Sequence, residues 1–470
     1  GGRCRPFDAA ADGIVISEGI GVLVLRRLAD AERDGDRVYA VVKGIGASSD
    51  GRDKGLTAPR PEGQALALER AYAQAGFSPA TVGLIEAHGT GTVAGDRAEV
   101  EALTQVFGAA GARRQGCAIG SVKSMIGHTK CTAGVAGLIK VALGLHHKVL
   151  PPTLGVERPN LPDGPFAVNS DARPWIRGGG APPRRAGVSA FGFGGTNFHV
   201  VVEEHTDDWL PDASGVQAWP SELCVWTAGS REELRERVEA LGASLDRALG
   251  ASPADLALRE LAAAVCAQRK PGLPVRLAVV ATSVEDLRAK LAKARETLAT
   301  PDAEIWDRSG VYLTTRPLTG EGTVAFLYPG QGSQRPDMLR DLAVCFPEVR
   351  EAFELADGVL TERLERPLSS YVFAPSAFSP DDERERARAL TQTDRAQPAL
   401  GAAEMGLSRL LDALGVRPAM VAGHSYGEYV ALCSAGVIAE DVLYDLSEKR
   451  GRCIVEAAEH DLGAMAAVSE

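Results

Sequence analysis

Gly423-His424-Ser425-Tyr426-Gly427 sets a hydroxyl between two glycines, directly after the apolar run Met420-Val421-Ala422 and ahead of helix-forming sequence. A serine so placed is a candidate nucleophile. The glycines permit a strained strand-to-helix turn that projects the hydroxyl, and the helix N-terminus offers backbone N–H groups to an oxyanion. The N–H of Tyr426 is the nearest donor. Losing one such donor typically costs about 10²–10³ in rate, so a second is required, and the turn Gly330-Gln331-Gly332 offers the N–H of Gln331. The chemistry indicated is acyl transfer through a serine ester. A lipase or esterase uses the same pattern, and the plain alternative is a tight turn with a capping serine.

A second set of reactive residues lies earlier in the chain. His88 follows the apolar run of residues 82–85 and opens the glycine loop Gly89-Thr90-Gly91-Thr92, at the carboxyl end of a predicted strand, where open α/β sheets carry their sites. A single histidine there is also compatible with a structural role. His128, reached from Lys123 through Ser124-Met125-Ile126-Gly127, adds weight: two histidines and a lysine on glycine-rich loops can stabilise one developing anion. Gly89-x-Gly91-x-x-Ala94 also fits a loose dinucleotide fingerprint. That reading wants an acidic residue about 20 positions on, where Arg113 and Arg114 stand instead.

The elements that must hold these residues recur as strand, glycine loop and helix. Residues 14–25 and 38–45 read as buried strands, and Pro61–Ala75 as a helix stopped by Gly76. A helix over 97–107 follows the His88 loop. The strand at Ala118-Ile119-Gly120 leads through residues 121–129 into a helix over 133–145, and Val188-Ser189 leads through a glycine turn into a strand over 198–202. This is α/β sequence over residues 1–205, with an extended crossing at 151–183 and a boundary between Glu204 and Trp219. Residues 206–320 contain two short βα units. One has Ser230 and Glu233 at capping-box spacing and a stripe at Leu234, Val238, Leu241, Leu245 and Leu249; the other has Ser283 before a stripe at Leu287, Leu291, Ala294 and Leu298. Residues 321–470 return to strand, turn and helix around Ser425.

Composition bounds the function. The 470 residues suggest about three domains at roughly 150 residues each. A hydrophobic share of 45% with 24% charged residues describes a folded globular chain rather than a disordered or fibrous one. The net charge of −11 removes the electrostatic ground for nucleic acid as the main partner. Eight cysteines without a C-x-x-C pair argue against a zinc site or a disulfide framework and for a reducing cytoplasm. The most apolar stretch, residues 131–145, is interrupted by Lys140 and too short to span a bilayer.

Two families share these motifs. Phe326-Leu327-Tyr328-Pro329-Gly330-Gln331-Gly332-Ser333-Gln334, Gln397-Pro398-Ala399-Leu400 and Gly423-His424-Ser425-Tyr426-Gly427-Glu428-Tyr429 together resemble the malonyl-type acyltransferases. Glu86-Ala87-His88-Gly89-Thr90-Gly91-Thr92, the stretch from Lys123 to His128, and Phe191-Gly192-Phe193-Gly194-Gly195-Thr196-Asn197 resemble the ketosynthases, which are thiolase-like condensing enzymes. Their order resembles that of a type I polyketide synthase. The implied fold is a thiolase-like ketosynthase half over 1–205, a small αβ linker domain over 206–320, and an α/β-hydrolase-like acyltransferase core over 321–470.

The resemblance implies that Ser425 forms the acyl ester, Arg450 in Lys449-Arg450-Gly451 holds the malonyl carboxylate, and His424 beside the nucleophile has a positional role. In the condensing half it implies that His88 and His128 stabilise the enolate and thioester oxyanion, and that Lys123 orients the His128 loop. Thr90 and Thr92 meet the pantetheine arm, Phe193 gates the pocket, and Cys131 is a packing residue. Implied partners are acyl carrier protein, malonyl-CoA, an acyl thioester, the other domains of the synthase, and a second copy paired through the ketosynthase. Phosphopantetheine arrives on the carrier protein, and no metal or directly bound cofactor is implied. The family's condensing cysteine and acyltransferase histidine are expected outside residues 1–470, which leaves this stretch inactive alone. Gly127-His128-Thr129-Lys130 and the Ser425 motif lean towards the iterative enediyne or polyunsaturated-fatty-acid branch. The alternatives are a G-x-S-x-G hydrolase and a catalytically silent scaffold built from condensing-enzyme relatives.

Overall fold

A computed structural model describes residues 2–51, 55, 58–206, 215–216, 219–251, 257–317 and 323–458. The apolar pattern at 462–468, the 320/321 boundary and most of the 204–219 boundary lie outside them. The chain forms two compact units, one of Gly1–Val216 with Ala325–Glu470 and one of Gln217–Val324.

The first unit is built on a six-stranded sheet in the spatial order Val41–Ser49, Thr196–Glu203, Arg185–Gly192, Leu84–Glu86, Cys117–Gly120 and Phe166–Val168. The first three pair antiparallel and the remaining neighbours parallel. Leu84–Glu86 and Cys117–Gly120 are buried along their whole length, which the apolar residues Leu84, Ile85 and Cys117-Ala118-Ile119 foretell for parallel strands, Glu86 being the one charged residue among them. Because the two strands run in register and in the same direction, the loops carrying His88 and Lys123–His128 leave the same, carboxyl end of the strands. The helices Pro61–Ala75, Val93–Ala109 and Ala133–His147 cover the sheet. Pro61 starts the first and Gly76, at φ 75°, stops it, as its sequence predicts.

Within the same unit, Ala325–Tyr328 and Met420–Gly423 pair parallel, and the helices Pro347–Leu360, Thr393–Ala413, Gly427–Ser434 and Glu440–Ala458 pack around Phe353, Tyr371, Leu400, Tyr426 and Tyr444. Arg184 joins the two portions of this unit, donating to Glu204 at 2.6 Å and also pairing with Glu354.

The second unit is a four-stranded antiparallel sheet in the order Ile305–Asp307, Val311–Thr314, Val275–Ala281 and Glu222–Ala228. Its helices Arg231–Ala251 and Val284–Ala299 bury the two predicted leucine stripes through Leu245 and Leu298; the side chain of Leu249 lies outside the described residues. The Ser230 hydroxyl accepts from the Glu233 N–H at 3.1 Å, while the Glu233 carboxylate turns to the Gly229 N–H at 2.8 Å. A third helix, Leu258–Ala267, and the hairpin at 305–314 extend the two βα units that the sequence suggests. Among the described residues, no helix is long and apolar enough to cross a membrane.

Residues 14–25 are not the buried strand their composition suggests. Ile20 is 97% and Val24 94% exposed. Among the described residues their strand-like pairing is a single bridge, in which the His128 N–H donates to Val15 O and the Ser17 N–H to His128 O; Gly19 O accepts from the Thr132 hydroxyl instead, and one bridge does not make a ladder.

Candidate active sites

Ser425 stands at φ 56°, in the left-handed region that a side chain enters only when its surroundings impose it. The glycines beside it impose it. A Cβ on Gly423 would fall 2.1 Å from the Gly427 carbonyl carbon, and one on Gly427 would fall 2.2 Å from Tyr328 O. No real Cβ fits either contact. The turn is therefore the strained elbow that the G-x-S-x-G spacing indicates, and the Ser425 side chain is exposed at its tip.

The turn after Ala325–Tyr328 closes on this elbow: a Cβ on Gly330 would lie 2.7 Å from His424 O and 3.1 Å from Ser425 Cβ. Gln331 is thereby brought beside Ser425. Its side chain is anchored, donating from Nε2 to Thr393 Oγ1 at 3.2 Å and accepting from Gln397 Nε2 at 3.1 Å. His424 is exposed, and its N–H donates to Tyr328 O at 2.9 Å. Tyr426 turns inward, wholly buried, with its phenol 2.7 Å from Ser447 Oγ. Arg450, on Glu440–Ala458, lies over the Tyr429 ring with its guanidinium carbon 5.6 Å from the ring centroid.

At the carboxyl end of the parallel strands, the His88 and His128 rings meet at 5.6 Å between centroids and 85° between planes. Both border a cavity of about 930 Å³ that Thr90, Thr92, Cys131 and Phe193 also line. Thr90 and Thr92 hydroxyls are 3.0 Å apart, and Phe193 is 74% exposed. Lys123 is buried and outside that lining, yet close enough for its charge to act on both histidines.

The electrostatics favour neutral imidazoles. Burial first, then the charge of Lys123 and the neighbouring His128, pushes the His88 imidazole down to about 3. Burial and Lys123 lower His128 as well. His128 Nδ1 accepts from the Lys130 N–H at 3.0 Å, so in the neutral ring the proton resides on Nε2, which becomes a donor. Burial lowers the Lys123 ammonium too, against the opposing pull of Glu86 and Glu99.

Those two carboxylates, with Asp96, position the loops. Glu99 accepts from the N–H groups of His88 at 2.7 Å and Gly89 at 2.9 Å. Glu86 accepts from the Val122 N–H at 2.6 Å and from Lys140 Nζ at 2.9 Å. Asp96 accepts from the Phe7 N–H at 2.8 Å and the Gly91 N–H at 3.2 Å. Burial raises Glu99 to about 7 and Asp96 to about 6. The sequence does not mark these three out: a carboxylate inside an apolar or small-residue run has no periodic signature.

Cys131 corrects one expectation. It is exposed on the cavity wall rather than packed. The helix that follows buries Ala133, Gly137, Val141, Gly144 and Leu145, and the preceding turn holds Cys131 off that face.

Residues 39–157 match the family described as Beta-ketoacyl synthase, C-terminal domain, and residues 1–31 match Beta-ketoacyl synthase, N-terminal domain. Residues 157–280 match Ketoacyl-synthetase C-terminal extension, and residues 325–470 match Acyl transferase domain. The chain is 39% identical to the spectinabilin polyketide synthase system protein NorB of Streptomyces orinoci, over 99% of this chain and 21% of that one. It is 36% identical to one subunit of the polyunsaturated fatty acid synthase of a Thraustochytrium species, over 99% of this chain and 17% of that one. Among solved structures, it matches the ketosynthase from module 6 of the bacillaene synthase of Bacillus subtilis 168 at 38% identity and a TM-score of 0.43, covering 63% of this chain and 50% of that one. The chain thus spans about a fifth of the length of these curated relatives, and near-equal identities to a polyketide and a polyunsaturated-fatty-acid synthase do not separate the two branches. With ketosynthase, linker and acyltransferase sequence in this order, the chain belongs to the type I polyketide synthases.

Proposed function

We propose that the synthase carrying this chain condenses acyl and malonyl thioesters at the cavity beside His88 and His128, and loads its malonyl units through Ser425. What supports the reading is that each motif set, dispersed in sequence, closes in space: the histidine rings at 5.6 Å, and Ser425 at φ 56° beside the Gly330 turn.

In loading, Ser425 Oγ attacks the thioester carbonyl of malonyl-CoA. The N–H groups of Tyr426 and Gln331 receive the oxyanion, the C–S bond breaks, CoA leaves as the thiol with the proton given up by the serine hydroxyl, and Arg450 holds the free carboxylate in a charge-assisted pair. A second transfer passes the malonyl group to the phosphopantetheine thiol of acyl carrier protein. His424 shapes the elbow through its backbone.

In condensation, the bond between the malonyl α-carbon and its carboxylate breaks, CO₂ leaves, the enolate carbon attacks the carbonyl of the acyl thioester, and the acyl C–S bond breaks to release the thiolate that carried the chain. Neutral His88 and His128 donate to the enolate and thioester oxygens, which is the protonation state their burial enforces. Lys123 orients the His128 loop, Thr90 and Thr92 meet the pantetheine arm, and Phe193 gates the cavity. Pairing of two synthase copies through the ketosynthase belongs to the same reading.

Radiolabelled malonyl-CoA is expected to acylate the full-length protein, with the label lost in Ser425→Ala. Undiminished labelling of that variant refutes the assignment.

A further inference from the structure

Lys449 and Arg452, on either side of Arg450, are tied down by Asp445 at 2.7 Å and Glu448 at 3.1 Å. Among the described residues, Arg450 makes no ion pair. What it does contact is the Tyr429 ring, and that ring belongs to a connected series that begins at the nucleophile. Tyr426 and Tyr429 stack at 6.2 Å between centroids and 11° between planes. The Ser447 hydroxyl donates its one proton to Leu443 O at 2.5 Å, so in the 2.7 Å contact with Tyr426 it accepts and the phenol donates. Ser447 lies three residues before Arg450, on a neighbouring part of the same helix surface. Gly401 makes room for this link: a Cβ there would sit 2.4 Å from the Tyr426 hydroxyl oxygen.

We infer that Tyr429 is a positioning residue for carboxylate selection: its ring is the platform that holds the Arg450 guanidinium, and the Tyr426–Ser447 bond fixes that platform to the elbow. The inference rests on the loading reading above, in which Ser425 takes the acyl group and Arg450 the carboxylate. A guanidinium over an aromatic face is attracted by the ring quadrupole and keeps its edge N–H donors free for a bidentate partner. An arginine on a bare helix surface must instead give up its rotamer freedom each time substrate binds. The platform thus acts on substrates that carry a free carboxylate and leaves the serine chemistry untouched.

The test uses the full-length protein and pre-steady-state acylation by radiolabelled malonyl-CoA and by acetyl-CoA, which lacks the carboxylate. Tyr429→Leu is expected to raise the half-saturating malonyl-CoA concentration roughly 2- to 30-fold, the range spanned by exposed to desolvated cation–π contacts, with the maximal rate and the acetyl-CoA reaction retained. Tyr429→Phe, which keeps the ring, restores the malonyl-CoA dependence, and Tyr429→Met serves as a second ring-free variant should the leucine variant fold poorly. Equal losses on both substrates, or no change on either, overturn the platform. Arg450→Ala separates the two levels: if discrimination between malonyl- and acetyl-CoA survives that change, the carboxylate assignment has failed rather than the role of Tyr429.

Discussion

Glu404 sits in the middle of the helix Thr393–Ala413, 6% exposed, and among the described residues neither of its carboxylate oxygens has a hydrogen-bond partner. Burial alone raises its carboxyl from 4.5 to about 8. Because the folded value is raised, the folded chain keeps a proton that the unfolded chain releases above 4.5. Its contribution is complete below that pH and is lost as pH rises, at about 1.4 kcal/mol per unit, until the folded group ionises near 8. Between pH 5.5 and 7.5 the loss comes to roughly 2–3 kcal/mol.

Glutamine has nearly the same shape and does not titrate. Glu404→Gln is therefore expected to gain stability relative to wild type by that amount between pH 5.5 and 7.5. Hydrogen–deuterium exchange in peptides covering Thr393–Ala413 reads the effect, with variant and wild type compared at the same pH so that intrinsic exchange rates cancel. The variant-to-wild-type protection ratio should rise by a factor of roughly 30 to 150 over the interval. A ratio that stays constant shows that Glu404 is ionised in the folded chain or partnered by solvent, and the account of this buried acid is then wrong.

Two further outcomes follow from the sites. A non-glycine residue in the left-handed region costs about 1–2 kcal/mol, and glycine's extra unfolded-state entropy returns about 0.5–1 of that; Ser425→Gly should therefore exceed Ser425→Ala in stability by roughly 0.5–1 kcal/mol, and equal unfolding midpoints would show that the elbow is not strained. His88→Ala and His128→Ala in the full-length synthase should still acquire the malonyl label yet fail to elongate an acyl chain, and normal elongation by both variants removes the pair from the mechanism.

Much of this arrangement is legible along the chain because both sites sit at ends of short, mainly apolar strands, and those runs announce themselves. Residues 118–120 and 420–422 locate their loops to within a residue or two. The glycines that bracket Ser425 are legible for a related reason: their spacing encodes a backbone approach that no Cβ permits. Residues 14–25 mislead because β-branched composition reports what a segment tolerates on a pleated surface, whereas a strand also needs a neighbour to complete its hydrogen bonds. Glu86, Glu99 and Glu404 are illegible for the opposite reason. A charged residue inside a core has no periodic signature, and its role is fixed by backbone groups from distant segments, as Glu86 shows by reaching Val122.

The two sites are positioned by different physics, and this sets what each tolerates. At the elbow, backbones touch where side chains are absent, so the position of Ser425 is fixed by steric exclusion and is insensitive to charge. Around His88, buried carboxylates hold the loops by accepting their N–H groups, and Lys123 and Lys140 compensate the negative charge at the cost of their own desolvation. That compensation has a chemical effect beyond geometry: the ammonium of Lys123 is one of the forces that keep both imidazoles unprotonated. Removing a carboxylate there would loosen a loop and upset the local charge balance in one step. The His88 site therefore couples its shape to its protonation state, whereas the Ser425 elbow does not.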